Sequence, residues 1–285
     1  MSAVFNNCTN INITVEQVHQ AVLIRGIAGT VCFLFGIVAI IFEIIFLYRT
    51  KANFLLRLFL YLTLSSTLFI GTFGLDLVHY YRFGKNGDDT IYCSLLAFFA
   101  VYMAIVTSLF SCSIVFFLLR IVFNCKPLLR DKPKNRSTKY GCMCISEGTF
   151  VAACFILPSF FCWIPFLNDH YGNNPWSYCW FTNGSYQDPC DMTVKIDWDE
   201  LLIFYVPCSI TALACFVCVL FVMGWVIRLR CNAHLLPPGK LKVIVKEMFL
   251  FVGFMIAYSF VWVIFVVSSL SKPIGFSVYT TWVVK

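Results

Sequence analysis

The chain has 285 residues, 60% of them apolar and 12% charged, with 21 Lys and Arg against 14 Asp and Glu for a net charge of +7. That charged share is about half the one usual in soluble proteins, and a water-soluble fold could not hide so much apolar surface, so lipid is the solvent for much of the chain. The positive excess falls in blocks between apolar runs, which marks loops held on the cytoplasmic side of a membrane rather than a nucleic-acid surface, and no nucleic-acid partner is expected.

Residues 1–24 read as an outer tail. They are polar up to Ala21, so no cleavable signal peptide is visible and the first span serves as its own insertion signal. The tail carries Cys8 and two glycosylation sequons, at Asn7 and Asn12.

A bilayer core of roughly 30 Å needs about 20 mainly apolar residues per helix. Six stretches meet that requirement. The first covers about Gly26–Tyr48 and is interrupted by Glu43, roughly 9 Å along the axis from Arg49 at 1.5 Å per residue. Arg57 reaches a similar depth in the second span, about Phe54–Val78, so a Glu43–Arg57 pair is expected. The third is charge-free from Thr90 to Leu119, long enough to cross with a strong tilt. The fourth covers about Gly148–Leu167, with Pro158 and Pro165 read as kinks.

A polar island, "YGNNPWSYCWFTNGSYQDPC", then interrupts the apolar sequence from Tyr171 to Cys190, and it carries a third outer sequon at Asn183. The fifth span is Leu201–Ile227 and the sixth Met248–Ser271. These spans and their loops form a bundle over residues 25–272. Residues 273–285, ending "VYTTWVVK", read as the start of a seventh helix, set against a six-span protein with an interfacial tail.

Orientation follows from charge. Arg49 and Lys51, the cluster from Arg120 and Lys126 to Lys139, and the set Arg228, Arg230, Lys240, Lys242 and Lys246 fall in alternate loops. The other loops are neutral or acidic, with Asp169, Asp188, Asp191, Asp197, Asp199 and Glu200 against Lys195. The Lys/Arg bias puts the N-terminus outside, and Asn7, Asn12 and Asn183 then lie on the glycosylated side. Asn135, in the most basic loop, should stay bare.

Chemistry is not advertised. His19, His79, His170 and His234 fall in loops or tails, and none joins Cys or acidic residues at metal-ligand spacing. No phosphate-binding glycine loop or Ser-His-Asp pattern stands out. Most of the 15 cysteines lie inside apolar runs, where Cys behaves as a small hydrophobe. Neither an enzyme nor a bound cofactor is expected, and a transporter, a channel or an accessory membrane protein competes with a receptor.

The outer N-terminus, a long third helix preceded by Cys93 in "TIYCSLLAFF", and a cysteine in the loop after the fourth span together resemble the G protein-coupled receptor superfamily. The Cys-Trp step of "WSYCWF", with "RLFLYLTLSS" and "PFLNDHYG", is most similar to its secretin/adhesion and cyclic-AMP-receptor-like branches. "FFLLRIVFNC" stands where the rhodopsin-like branch has an acidic-Arg-Tyr motif, and "FFCWIPF" where the secretin branch has Gly-Trp-Gly. The resemblance implies an all-α bundle of seven membrane helices and a disulfide between Cys93 and Cys179. It also implies a plasma-membrane receptor carrying an extracellular signal to a heterotrimeric G protein. Arg120, Lys126, Arg228, Arg230, Lys240, Lys242 and Lys246 would face that partner, membrane lipid, or both. Tyr102, Trp180, Tyr205 and Trp262 are aromatic candidates for the lining of an outer pocket. Cys190 either pairs with Cys8 or stays free.

Overall fold

The computed structural model of the chain describes residues 15–50, 54–83, 91–125, 147–174, 178–181 and 200–231. They form α1 (Val15–Thr50), α2 (Phe54–Phe83), α3 (Ile91–Cys125), α4 (Glu147–Leu167), a β-hairpin of β1 (Tyr171–Asn174) and β2 (Tyr178–Phe181), a π-helical turn (Glu200–Tyr205) and α5 (Val206–Cys231). Among the described residues, five helices are long and apolar enough to cross a membrane. The expected sixth span, the 273–285 segment and Trp262 lie outside the described residues.

The helices outrun their apolar windows. α1 starts at Val15, inside the stretch expected to be tail, and α2 continues past Val78 to Phe83. The two extensions support one another. His19 Nδ1 lies 3.2 Å from the Tyr80 hydroxyl, and its ring also meets the edge of Tyr81. A hydropathy window measures the length in lipid, whereas the helix ends where its packing ends.

α1 and α2 run antiparallel in a seam of small residues. Gly26 faces Leu77, Gly29 faces Phe73, Gly71 faces Phe33, Gly74 faces Thr30 and Gly36 faces Thr67. Where lipid removes the hydrophobic drive for helix association, close van der Waals approach of this kind is what holds helices together. The same register corrects the expected Glu43–Arg57 pair. It sets Thr63 across from Glu43, and the Thr63 hydroxyl donates to Glu43 Oε1 at 2.9 Å. Arg57 lies nearer the start of α2, opposite the last turns of α1.

α3 is the central helix. Its stretch from Ala100 to Ser111 is almost wholly buried, in contact with α2, α4, α5 and the hairpin. Buried hydroxyls there turn back on their own helix: Thr107 donates to the Met103 carbonyl, Ser108 to Ala104 and Ser111 to Thr107. That satisfies the polar atoms where no water can. One apolar cluster packs Leu58, Leu62, Val106, Phe110 and Ile114 toward the end remote from the hairpin; another surrounds the hairpin itself.

α4 carries Pro158 and Pro165 within its length. Pro158 has no N–H for the Cys154 carbonyl and crowds it. At the neighbouring carbonyl, Phe155, the Tyr102 hydroxyl donates from α3 at 2.8 Å. Tyr102 thus braces the proline turn of α4. Tyr102→Phe is expected to cost about 0.5–1.5 kcal/mol, read as a lowered unfolding midpoint in detergent, while Phe98→Leu should leave this hydrogen bond in place.

The end of α4 aims the chain into the hairpin. Asp169 adopts φ 55°, His170 N–H donates to the Pro165 carbonyl at 2.8 Å, and Asp169 N–H reaches toward Phe166. This is a Schellman-type helix stop. The strands that follow pair Tyr171 with Phe181, Gly172 with Trp180, Asn173 with Cys179 and Asn174 with Tyr178. An all-α expectation therefore needs one addition: a small antiparallel sheet in the polar island.

Candidate functional site

The hairpin lies across one end of the bundle, and polar contacts converge on it. α2 supplies the first. Thr72, Asp76, His79 and Tyr80 are buried, at helical spacings of four, seven and eight, while Leu75, Val78 and Tyr81 point outward. The pattern inverts that of a soluble helix, because here the apolar face meets lipid and the polar face meets protein.

Asp76 is the hub of this face. It is 4% exposed. Its Oδ2 accepts from Arg25 of α1 at 2.6 Å, and its Oδ1 accepts from the backbone N–H of Cys179 at 3.0 Å. The Arg25 guanidinium also sits over the Phe73 ring, 5.7 Å from its centroid. One carboxylate thereby ties α1 and the hairpin to α2.

α3 supplies the second tie. Cys93 and Cys179 are joined by a disulfide with a Cα separation of 5.0 Å. Ser94, the next residue, donates to the Tyr171 carbonyl at 2.8 Å, so both strands of the hairpin are fastened to the start of α3. His79 flanks the disulfide, with Nδ1 4.0 Å from Cys179 Sγ and its ring stacked on Tyr92 at 5.4 Å. This corrects the expectation that His79 is a loop residue that joins no cysteine. The extension of α2 past its apolar window carries it there.

The third tie runs to α5. Glu200, expected among the outer-loop acids, is instead buried to 5% exposure at the head of the π turn. Its Oε1 accepts from Trp180 Nε1 and from the Tyr205 hydroxyl, each at 3.0 Å. Trp180 also meets Phe204 edge-on, with centroids 5.0 Å apart. The π turn precedes Pro207, whose missing N–H leaves the Ile203 carbonyl without its usual partner; a locally wider turn accommodates that defect.

Thr72, Phe73, Asp76, Leu96, Ala100, Cys179 and Trp180 line a cavity of about 10 Å³, roughly the space for one water. It lies directly beneath the hairpin, between the Asp76 and Trp180 ties.

Of the aromatic candidates, Trp180 and Tyr205 converge on Glu200, whereas Tyr102 is engaged by α4. Arg120, Arg228 and Arg230 fall on the last parts of α3 and α5, at the end of the bundle opposite the hairpin. Cys8, Cys190, Asn7, Asn12, Asn183, Lys126, Lys240, Lys242 and Lys246 lie outside the described residues. No protein-family model matches this chain, and no curated protein is significantly similar to it.

Proposed function

We propose that this protein is a cell-surface receptor of the G protein-coupled kind, with the hairpin on the extracellular side and α1 entering from outside. The observation that carries the reading is the convergence of ties on the hairpin. Asp76 links it to α2 and, through Arg25, to α1; the disulfide and Ser94 link it to α3; Glu200 links it to α5. A ligand that favours one position of the hairpin therefore favours one arrangement of these helices. That differential preference is what a receptor requires. At the opposite end, the last parts of α3 and α5 carry Arg120, Arg228 and Arg230, where a G protein would read the rearrangement. On this reading a seventh helix begins after Lys272, and Asn7, Asn12 and Asn183 are glycosylated.

The test is G protein activation in cells expressing the full reading frame, with each G protein family supplied in turn as a dissociation sensor. At least one family is expected to respond above empty-vector cells, and Trp180→Ala is expected to change that response. A flat signal for every family overturns the proposal, and substrate flux in liposomes would point to a transporter instead. Glycan mapping checks orientation: modification at Asn135 reverses it.

A further inference from the structure

We propose that the Cys93–Cys179 disulfide, once reduced, becomes a buried zinc site completed by His79. This inference does not rest on the receptor reading. A ring nitrogen of His79 and the two sulfurs all lie within 4.8 Å of one another, and all three residues are buried. They come from α2, α3 and β2, so the ligands are held by separate rigid elements.

The chemistry favours zinc. Tetrahedral Cys₂His sites with an open fourth position hold Zn²⁺ at about 2.3 Å from sulfur and 2.0–2.1 Å from nitrogen. Such bonds place neighbouring ligand atoms roughly 3.5–4 Å apart, and the His79 Nδ1–Cys179 Sγ distance is already 4.0 Å. The sulfurs must part, which rotation of two short side chains allows. A water-sized cavity adjoins Cys179 on the side of Asp76 and Trp180. Charge also balances: Zn²⁺ with two thiolates is neutral, so replacing a neutral disulfide adds no net charge to a buried site.

A dithiol reductant gives two electrons and two protons to the S–S bond, leaving two thiols and an oxidised dithiol. Zinc then displaces one proton from each thiol and accepts the lone pair of His79 Nδ1. Because the metal binds only the reduced form, it draws the thiol–disulfide equilibrium toward reduction. Reduction alone would remove the covalent tie between the hairpin and α3 and leave the Ser94–Tyr171 hydrogen bond; reduction with zinc exchanges that covalent tie for one that also includes α2.

The experiment uses the full chain in lipid nanodiscs, reduced with a phosphine and titrated with Co²⁺, then competed with Zn²⁺. Reduced wild type is expected to show a thiolate-to-cobalt charge-transfer band that the oxidised protein lacks. His79→Phe keeps both the stack on Tyr92 and the disulfide, and so separates ligand loss from misfolding. It should weaken cobalt affinity at least about tenfold, the least that loss of even an outer partner costs a metal site. The reduced Cys93→Ala/Cys179→Ala variant provides the baseline for the other thiols. In parallel, zinc should raise the fraction of Cys93 and Cys179 found reduced at a fixed dithiol ratio, measured by alkylation and mass spectrometry. No band above that baseline, or equal affinity in His79→Phe, overturns the proposal.

Discussion

Asp76→Ala is expected to destabilise the protein by roughly 2–4 kcal/mol, lowering its unfolding midpoint in detergent by about 5–12 °C. The loss has unequal parts. Arg25 is about a third exposed (32%), so it can turn its charge to solvent and forfeits little. The Cys179 N–H has no such escape. It is buried beneath the hairpin, and losing its acceptor leaves an orphaned donor worth about 1–3 kcal/mol. Asp76→Asn keeps an oxygen for that N–H while removing the charge, and should cost about half as much. Arg25→Ala leaves the buried carboxylate without its countercharge, so its effect should approach that of Asp76→Ala. The double variant should then cost much less than the sum of the two. The same series should show in disulfide chemistry, with the Cys93–Cys179 bond reduced fastest in Asp76→Ala because the hairpin lifts more often. An Asp76→Ala protein as stable as wild type would remove Asp76 as the hub of the site.

Five of the expected spans were legible because lipid leaves no choice: runs such as Gly148–Leu167 have no other place to go, and the structure makes them helices. What lay beyond the apolar windows was not legible from hydropathy. The polar ends of α1 and α2 are helical because His19 and Tyr80 support each other across the seam, a tertiary cause that no window counts. Asp76 lies near the end of the second apolar run, where the sequence shows none of its partners, and Arg25 falls between tail and helix. Glu200 was hidden among the acidic loop residues Asp197 and Asp199. A signal did exist: Thr72, Asp76, His79 and Tyr80 share one helical face, with Leu75, Val78 and Tyr81 on the other. In a membrane helix that polar stripe is costly unless it meets protein. Cys93 and Cys179 were reached only through a family resemblance, since their proximity depends on a hairpin whose register cannot be read from spacing.

The second large effect is expected in the α1–α2 seam. Gly29→Ala should destabilise by roughly 1–3 kcal/mol despite the better helix propensity of alanine. A Cβ at Gly29 would stand 2.7 Å from Phe73 Cβ and 3.3 Å from the Ile70 carbonyl oxygen. Neither atom is the free end of a side chain, so only the helices themselves can give way. That sets a discriminating rescue. Phe73→Ala retains the clashing Cβ and should not restore stability, whereas Phe73→Gly removes it and should recover part of the loss. Gly36→Ala should behave differently. There the new Cβ meets chiefly Thr67 Oγ1 and Cγ2, with Thr67 Cβ at 3.0 Å, so Thr67→Ala clears most of the obstruction. Gly224 on α5 meets nothing within 4 Å, and Gly224→Ala should be neutral or stabilising by up to about 1 kcal/mol. Unfolding midpoints of the set in one detergent decide the matter. If Gly29→Ala and Gly224→Ala shift the midpoint alike, backbone propensity rather than close approach governs the seam, and α1 is held to α2 by its polar contacts, Arg25–Asp76 and Thr63–Glu43, instead.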